Sequence, residues 1–179
     1  MDLTDETEYS ADDEITVREA TIGDYPAVTA FTANTWESGD YIPDTFPNWM
    51  ASDDPDTKTF VAVDTTESPP APEDVDGVDP ADVDGLAEGR AVGICQAVGL
   101  SEHEGWMQAM RVDPDYRGRR LSRALNDAGF HWLYESGRRV ARNMVFSWNT
   151  EGLGASRVNG FDPGTEFRWA EPEPEADAS

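Results

Sequence analysis

A short basic turn, Arg117–Ser122, carries the residues of this sequence best suited to binding chemistry. It holds three arginines, and guanidinium groups form charge-assisted, often bidentate hydrogen bonds with phosphates. A pattern typical of a helix follows directly, so the unpaired N–H groups and the positive dipole end of that helix would lie at the same place. The combination predicts a phosphate-binding turn.

A strand and a helix must position this turn. Before it, Gly105–Val112 has the length and apolar character of a half-buried strand. After it, Gly137 supplies a helix stop signal, and apolar residues recur at helical spacing at Leu121, Ala124, Leu125, Ala128, Trp132 and Leu133. We therefore expect a strand, a turn and a helix in succession, with the helix beginning at the arginines.

This segment resembles the acetyl-CoA-binding motif of the GNAT superfamily of N-acetyltransferases, which is Arg/Gln-x-x-Gly-x-Gly/Ala after a strand ending in Val-x-Pro. Arg117 matches the first motif position, and Val112 and Pro114 match the approach. Arg120 and Ser122 stand where the motif has small residues. An arginine fits there if its backbone keeps an ordinary helical conformation and its side chain points outward.

The resemblance implies an α/β fold with a mixed β-sheet, helices on both faces, and acetyl-CoA as cosubstrate. In that family two neighbouring strands separate, and the pantetheine arm lies between them against the strand backbone. Amides of the turn would then hold the pyrophosphate, and Asn149 would bond the cofactor amide. The implied cofactor-binding residues are Met110, Arg111, Val112, Arg117, Gly118, Arg119, Arg120, Leu121, Ser122 and Asn149.

The implied reaction is direct transfer of the acetyl group from the thioester to an amine, which needs a base for the amine proton. Some members use a Glu thirteen residues before the motif arginine, and Glu104 has that spacing, beside His103. The alternative is that both residues face solvent at a hairpin turn. The usual tyrosine acid is replaced by Ser156, and Cys95, in an apolar strand, is interpreted as a core residue.

The net charge of −24 is unevenly distributed. Residues 1–14, 65–89 and 170–179 contain seven, eight and four acidic groups and no Lys or Arg. The basic residues comprise twelve Arg and only Lys58. This acidic surplus with little lysine resembles proteins of salt-loving archaea, because a large like charge keeps a chain in solution where molar salt shrinks the Debye length to roughly 3 Å.

The same composition argues against several functions. Nucleic-acid and anionic-membrane binding need clustered Lys and Arg, which an acidic chain lacks. One cysteine excludes an internal disulfide, and with two histidines it argues against a structural metal site. No apolar segment has the length of a membrane span, and the acidic N-terminus is unlike a signal peptide. We expect a cytoplasmic protein that uses no metal.

The remaining pattern predicts one domain over residues 15–169, between a disordered acidic lead-in at 1–14 and an acidic tail at 170–179. The stretch 65–89 is interpreted as a solvated acidic loop inserted in a hairpin. The predicted strands are 15–20, 59–64, 90–98, 105–112, 139–147 and 165–169. The predicted helical segments follow Asp24, span 41–50 with breaks at Pro43 and Pro47, follow the basic turn, and lie around 153–158.

The leading functional hypothesis is an N-acetyltransferase that transfers an acetyl group from acetyl-CoA to a primary amine. One alternative is a non-catalytic acyl-CoA-binding module on the same fold, and another is an acidic protein that binds basic partners through its tails. The acceptor and the oligomeric state stay open. Four tryptophans could line an acceptor pocket, with core packing as the alternative for each: Trp36, Trp49, Trp106 and Trp148.

Overall fold

The computed structural model describes residues 9–12, 14–37 and 39–167. Six β-strands and four α-helices follow one another along this part of the chain, besides short 3₁₀ helices. They are β1 (Tyr9–Asp12), β2 (Ile15–Glu19), α1 (Tyr25–Thr32), α2 (Ile42–Met50), β3 (Thr57–Asp64), β4 (Arg90–Gly99), β5 (Glu104–Val112), α3 (Leu121–Glu135), β6 (Val140–Arg142) and α4 (Thr150–Val158). None of the helices described is long and apolar enough to cross a membrane.

The six strands form one sheet in the order of the sequence, from β1 to β6. Every neighbouring pair is antiparallel except β5 and β6, which are parallel. A parallel pair requires a crossover, and α3 provides it. The basic turn therefore lies where the chain leaves the sheet, at the end of β5.

Alternating side chains of the central strands fill two cores, one on each face of the sheet. On one face, Val61 and Ile94 pack with α1 and α2 residues such as Phe46. On the other, Phe60 and Val92 pack with α3 residues including Leu121, Leu125 and Leu133. The predicted α/β architecture, a mixed sheet with helices on both faces, is confirmed.

Helix α2 runs through Pro47, where the sequence predicts a break. An internal proline removes one backbone hydrogen bond and costs about 3 kcal/mol. Ile42 and Phe46 are fully buried on the same face of α2, and burying two large side chains offsets much of that cost. Tertiary packing therefore overrides the local helix-breaking signal.

The predicted disorder of residues 1–14 is wrong for Tyr9–Asp12. These residues form β1, which pairs antiparallel with β2 as an edge strand. Composition alone indicated disorder because the segment is acidic, but the exposed edge of β2 offers backbone hydrogen bonds that do not depend on side-chain polarity. The rest of the lead-in, apart from Glu14, lies outside the described residues.

The acidic connection 65–89 joins β3 to β4, yet it is not simply a solvated loop as predicted. It contains two single-turn 3₁₀ helices, Pro72–Asp74 and Pro80–Asp82, and its three valines pack on the α1/α2 core: Val75, Val78 and Val83. It also approaches Gly23 so closely that a Cβ there would lie 2.6 Å from the Ala87 nitrogen. Its acidic side chains face solvent while its valines anchor it.

The C-terminal strands are shorter than predicted. The strand expected over 139–147 is only Val140–Arg142, because the chain then diverges from β5 and loses its pairing partner. No strand forms over residues 165–167, where a three-residue β6 offers little edge and Phe167 is exposed. Arg168, Trp169 and the predicted tail 170–179 lie outside the described residues.

Candidate functional site

An open strand edge is the central feature of the candidate site. β5 pairs with β4 along one edge, but on the other edge only Glu104–Trp106 pair with β6. Within the described chain, the stretch Met107–Val112 has no strand partner on that second edge. An unpaired edge presents N–H and C=O groups to any extended molecule that lies beside it.

A β-bulge controls which side chains of β5 face each core. Ile94 pairs with Arg111 and Gln96 with Gln108, so one residue, Cys95, lies opposite two, Ala109 and Met110. Ala109 adopts a left-handed conformation with φ of 57°. Bulges bend a strand and are common beside active sites.

After the bulge, Met110 and Val112 pack on the α3 core, whereas the Arg111 side chain lies on the α1/α2 side. Arg111 Nη1 also donates to the Met110 carbonyl at 3.0 Å. The predicted pairing partners Met110 and Val112 thus lie on the open stretch of β5. The Arg111 side chain therefore points to the opposite face of the sheet from those of Met110 and Val112.

A buried aspartate fixes the start of the turn. Asp113 is nearly inaccessible to solvent; one of its oxygens accepts from the Asp115 amide at 3.0 Å and the other from Arg90 at 3.0 Å. These bonds hold the 3₁₀ turn Pro114–Tyr116, which directs the chain from β5 toward α3. The turn Arg117–Ser122, which the sequence predicts to bind the cofactor and which is called the cofactor loop below, follows at once.

The backbone of the cofactor loop exposes several donors. In the part of the chain that the structure describes, the amides of Gly118, Leu121 and Ser122 donate no hydrogen bond. They lie at the N-terminus of the fifteen-residue helix α3, where the helix dipole is positive. This geometry suits a bound anion, and phosphate most of all.

Arg120 does not keep the ordinary helical backbone expected of it. It is the N-cap of α3 with φ of 62° and ψ of 21°, a left-handed conformation, and its side chain is exposed. This conformation costs a non-glycine residue about 1–2 kcal/mol. The loop therefore retains the backbone shape that glycine would allow, although the residue is arginine.

Two arginine side chains of the loop make contacts of different kinds. Arg119 lies over the Tyr116 ring at 5.2 Å and 3.6 Å from Glu14. Arg117 lies 3.6 Å from Glu151, and both of these side chains are mostly exposed. Exposed ion pairs of this second kind contribute little to stability, so the Arg117 guanidinium can turn toward a bound anion at small cost.

Asn149 caps helix α4. Its side-chain oxygen accepts a hydrogen bond from the Gly152 amide at 2.8 Å, which orients the α4 N-terminus. A side-chain amide has a separate NH₂ donor, and this group is what Asn149 can offer to a ligand. The structure places Asn149 after the segment where β6 has left β5.

Glu104, the predicted base, forms an ion pair at the start of β5. Its Oε1 accepts from Arg142 Nη2 at 2.6 Å and from Arg142 Nε at 3.2 Å. The hydrogen bond and charge of Arg142 lower the pKa of the Glu104 carboxyl. Glu104 is therefore ionised at neutral pH but is a weaker base than an unpaired glutamate. Its neighbour His103 lies in the exposed β4–β5 turn.

The predicted position of the general acid holds Ser156, whose hydroxyl accepts from Asn143 at 2.9 Å. The tyrosine beside the cofactor loop, Tyr116, donates to Asp64 at 2.9 Å. Burial, followed by the Asp64 carboxylate, raises the pKa of Tyr116 to about 12, which makes it a poor proton donor. The interpretation of Cys95 as a core residue is confirmed, since it is fully buried with its Sγ 3.4 Å from the Leu125 carbonyl.

Sequence reasoning missed a buried ion pair on the α1/α2 side of the site. Asp40, whose side chain is inaccessible to solvent, binds Arg111 through Nε at 2.7 Å and Nη2 at 3.4 Å. Asp40 also accepts from the Ile42 amide at 3.2 Å. The pair connects β5 to the segment between α1 and α2. Asp40 and Arg111 are far apart in the sequence, so no local pattern predicts their contact.

An aromatic wall, defined as Trp36, Phe146 and Trp148, stands beside this ion pair. The rings of Trp36 and Trp148 meet edge to face at 5.3 Å, and those of Phe146 and Trp148 stack at 5.3 Å. The Arg111 guanidinium lies 5.5 Å from the Trp36 ring centre and 5.9 Å from that of Tyr41. By contrast, Trp49 packs against the α1/α2 core, as the core alternative proposed.

The sequence matches the model of the GNAT acetyltransferase family over residues 29–153, a stretch that includes β5, the cofactor loop and α3. A search of the curated proteins gave no significant match.

Solved structures share the architecture at low sequence identity. The aminoglycoside N-acetyltransferase AAC(6')-Iy, solved with a bisubstrate analogue of CoA and acetylneamine, is 15% identical with a TM-score of 0.61, covering 89% of this chain and 98% of its own. AAC(6')-Ih from Acinetobacter baumannii is 9% identical with a TM-score of 0.64, covering 89% and 98%. Ard1 from Thermoplasma volcanium is 18% identical with a TM-score of 0.61, covering 85% of each chain. At these identities the likeness establishes the fold.

Proposed function

Because this chain belongs to the GNAT family of acetyltransferases, we propose that it transfers the acetyl group of acetyl-CoA directly to a primary amine. The observation that carries the proposal is the unpaired edge of β5 over Met107–Val112, which leads straight into the free amides of Gly118, Leu121 and Ser122. An extended amide-containing arm could pair with that edge while its pyrophosphate lies at the α3 N-terminus.

The residues present fit this cofactor. Met110 and Val112 would pair with the pantetheine arm through their backbones, and Arg111 lies between them with its side chain directed toward Asp40. The amides from Gly118 to Ser122, which include Leu121, would hold the pyrophosphate. Additional phosphate contacts would come from Arg117, Arg119 and Arg120, and Asn149 would donate its side-chain NH₂ to the arm. When bound, the cofactor supplies the acetyl thioester.

The chain's own groups would then manage protons. Only a neutral amine can attack the thioester carbonyl, so Glu104 would accept the amine proton, directly or through one water. The new bond joins the amine nitrogen to the acetyl carbon while the carbon–sulfur bond breaks. The thiolate leaves toward solvent, because the position of the family's acid is Ser156, whose alcohol is too weakly acidic to protonate it readily.

The ion pair between Glu104 and Arg142 favours one alternative, a module that binds acyl-CoA without turning it over. Such a module needs neither a strong base nor a tyrosine acid, which agrees with the lowered pKa of Glu104 and with Ser156 at the acid position. Titration calorimetry with acetyl-CoA, followed by measurement of free CoA released with a panel of primary amines, separates the two. Saturable binding with release supports the transferase, and binding without release for every amine supports the module.

The binding site itself is tested with Arg117→Ala. Loss of one charge-assisted phosphate contact should weaken acetyl-CoA binding roughly tenfold. Arg157→Ala, which removes the same charge from the exposed far end of α4, is the matched control and should leave the affinity unchanged. An unchanged affinity in Arg117→Ala would contradict the assignment of the cofactor loop.

We further propose that the chain works in concentrated salt. Support comes from its net charge of −24 and its ratio of twelve arginines to one lysine. Screening of like charges should raise the unfolding temperature substantially between dilute buffer and molar KCl. Equal unfolding temperatures in the two solutions would overturn this proposal and leave the acetyltransferase proposal intact.

A further inference from the structure

The aromatic wall lies beside the open stretch of β5, next to Arg111. Trp36 comes from the segment between α1 and α2, whereas Phe146 and Trp148 follow β6, so the two segments meet across the gap that opens between β5 and β6. Arg111 ties the wall to β5, because its guanidinium lies against Trp36 while its backbone sits between Met110 and Val112. The wall therefore adjoins the strand proposed to hold the pantetheine arm.

The rings are ordered against one another but are not buried. Phe146 is 57% exposed and Trp148 is 63% exposed, although they stack together. Met144, two residues before Phe146, is also exposed. Contiguous exposed apolar surface of this kind marks a place where another apolar group is bound. A flat ring or hydrocarbon body fits it, since offset and edge-to-face contacts between rings are favourable.

The charged pair beside the wall is already satisfied. Asp40 is bound to Arg111 at 2.7 Å, and the Arg111 guanidinium lies against the Trp36 ring. A polyamine or an aminosugar would find a guanidinium group here, and the Asp40 carboxylate beside it is already paired. Glu37, exposed and adjacent to Trp36, leaves one acidic group on this segment for a single ammonium.

From these observations we propose that the acceptor is a small amine with one ammonium group and an aromatic or similarly flat apolar body, which stacks on Phe146 and Trp148. This inference rests on the proposed function and specifies its acceptor. The apolar body would lie on the wall, and the amine would point across the gap toward the thioester carbonyl. Multiply charged amines would be disfavoured by Arg111.

The experiment measures CoA release in molar KCl at saturating acetyl-CoA, with 2-phenylethylamine and tryptamine against ethylamine, spermidine and kanamycin. We expect the two aromatic amines to have the highest kcat/KM. Trp148→Ala should raise KM for 2-phenylethylamine roughly tenfold with little change in kcat. Its affinity for acetyl-CoA should stay the same. Tyr134→Ala, which removes an exposed ring at the far end of α3, is the matched control and should leave KM unchanged.

Each other outcome has a distinct meaning. Preference for spermidine or kanamycin, or an unchanged KM in Trp148→Ala, would overturn the acceptor inference while leaving the acetyltransferase in place. An unchanged KM together with a lower molar mass in light scattering for Trp148→Ala would assign the wall to self-association, which also overturns it. Acetyl-CoA binding without release for any amine would instead refute the proposed function.

Discussion

The cofactor loop and the aromatic wall both adjoin β5, but they treat charge in opposite ways. In the loop, Arg117 lies 3.6 Å from Glu151 and both groups are exposed. Beside the wall, Arg111 lies 2.7 Å from Asp40, whose side chain is fully buried. Loose, exposed pairs leave positive charge available to a ligand, whereas a tight, buried pair does not. The quality of each ion pair therefore indicates which side of β5 receives an anion and which receives an apolar group.

The most severe way to break this contrast is Arg111→Ala, which leaves Asp40 buried and unpaired. We expect a loss of about 3–5 kcal/mol in the free energy of unfolding, measured by urea denaturation, because an isolated buried charge is costly. Arg18→Ala is the matched control, since Arg18 pairs with the buried Asp24 on another part of the fold. Arg18→Ala should lower the free energy of unfolding by a comparable amount without altering the KM for an amine.

A double variant, Asp40→Asn with Arg111→Met, separates the charge from the packing. It removes both partners, so most of the lost stability should return. If Arg111→Ala alone proved as stable as the parent chain, the buried ion pair would not be what fixes the wall against β5.

The next largest effect is expected for Glu104→Gln, which probes the end of β5 opposite the two regions. If Glu104 accepts the amine proton, kcat should fall about a hundredfold with acetyl-CoA affinity unchanged. Because the pKa of Glu104 is lowered, its contribution to rate should rise with pH through an unusually acidic range and then level off. Removing the partner with Arg142→Ala should move that rise to higher pH.

Rates measured from acid to neutral pH would test this directly. An Arg142→Ala profile that coincides with the parent profile would show that Glu104 does not set it. The amine's own ionisation is common to both profiles and cancels in the comparison.

The smallest effect sharpens the description of the cofactor loop. Arg120→Gly should relieve the left-handed strain of the folded loop. This gain should exceed the cost of the flexibility that glycine adds to the unfolded chain, so the free energy of unfolding should rise by roughly 0.5 kcal/mol. The opposite kind of change at a neighbouring position, Gly118→Ala, should lower the free energy of unfolding by about 1 kcal/mol. Gly118 has φ of 82°, and there is open space around its Cα, so the cost comes from the backbone conformation alone. Urea denaturation measures both. Destabilisation by Arg120→Gly would show that the arginine side chain itself holds the loop.

The sequence predicted what is local and missed what is distant. Alternation along Ile15–Ala20 and helical spacing after the cofactor loop were enough to predict a strand and a helix, because each depends on neighbouring residues. The family motif located the loop, but the left-handed Arg120 depends on the path of the chain from β5 to α3. The contact of Trp36 with Trp148 and the pairing of β1 arise only when separate segments meet.

Composition misled where a few apolar residues were decisive. Residues 65–89 are acidic enough to suggest a solvated loop, yet Val75, Val78 and Val83 anchor them on the core. Likewise Asp40, one of thirty-seven acidic residues, is distinguished only by its partner Arg111. Average properties describe the surface of such a segment, and the exceptions within it determine where the segment lies.

Because of the extra residue at Ala109, the side chains of β5 that face α3 are odd-numbered before the bulge and even-numbered after it. Gly105 and Met107 contact α3 before the bulge, whereas Met110 and Val112 do so after it. Without the bulge, and with the chain length unchanged, strict alternation from Met107 would place Ala109 and Arg111 on the α3 side and send the Arg111 charge into the α3 core. Substitutions along β5 alter one face at a time, whereas loss of this bulge would exchange both faces downstream, so the bulge is the more constrained feature of the strand.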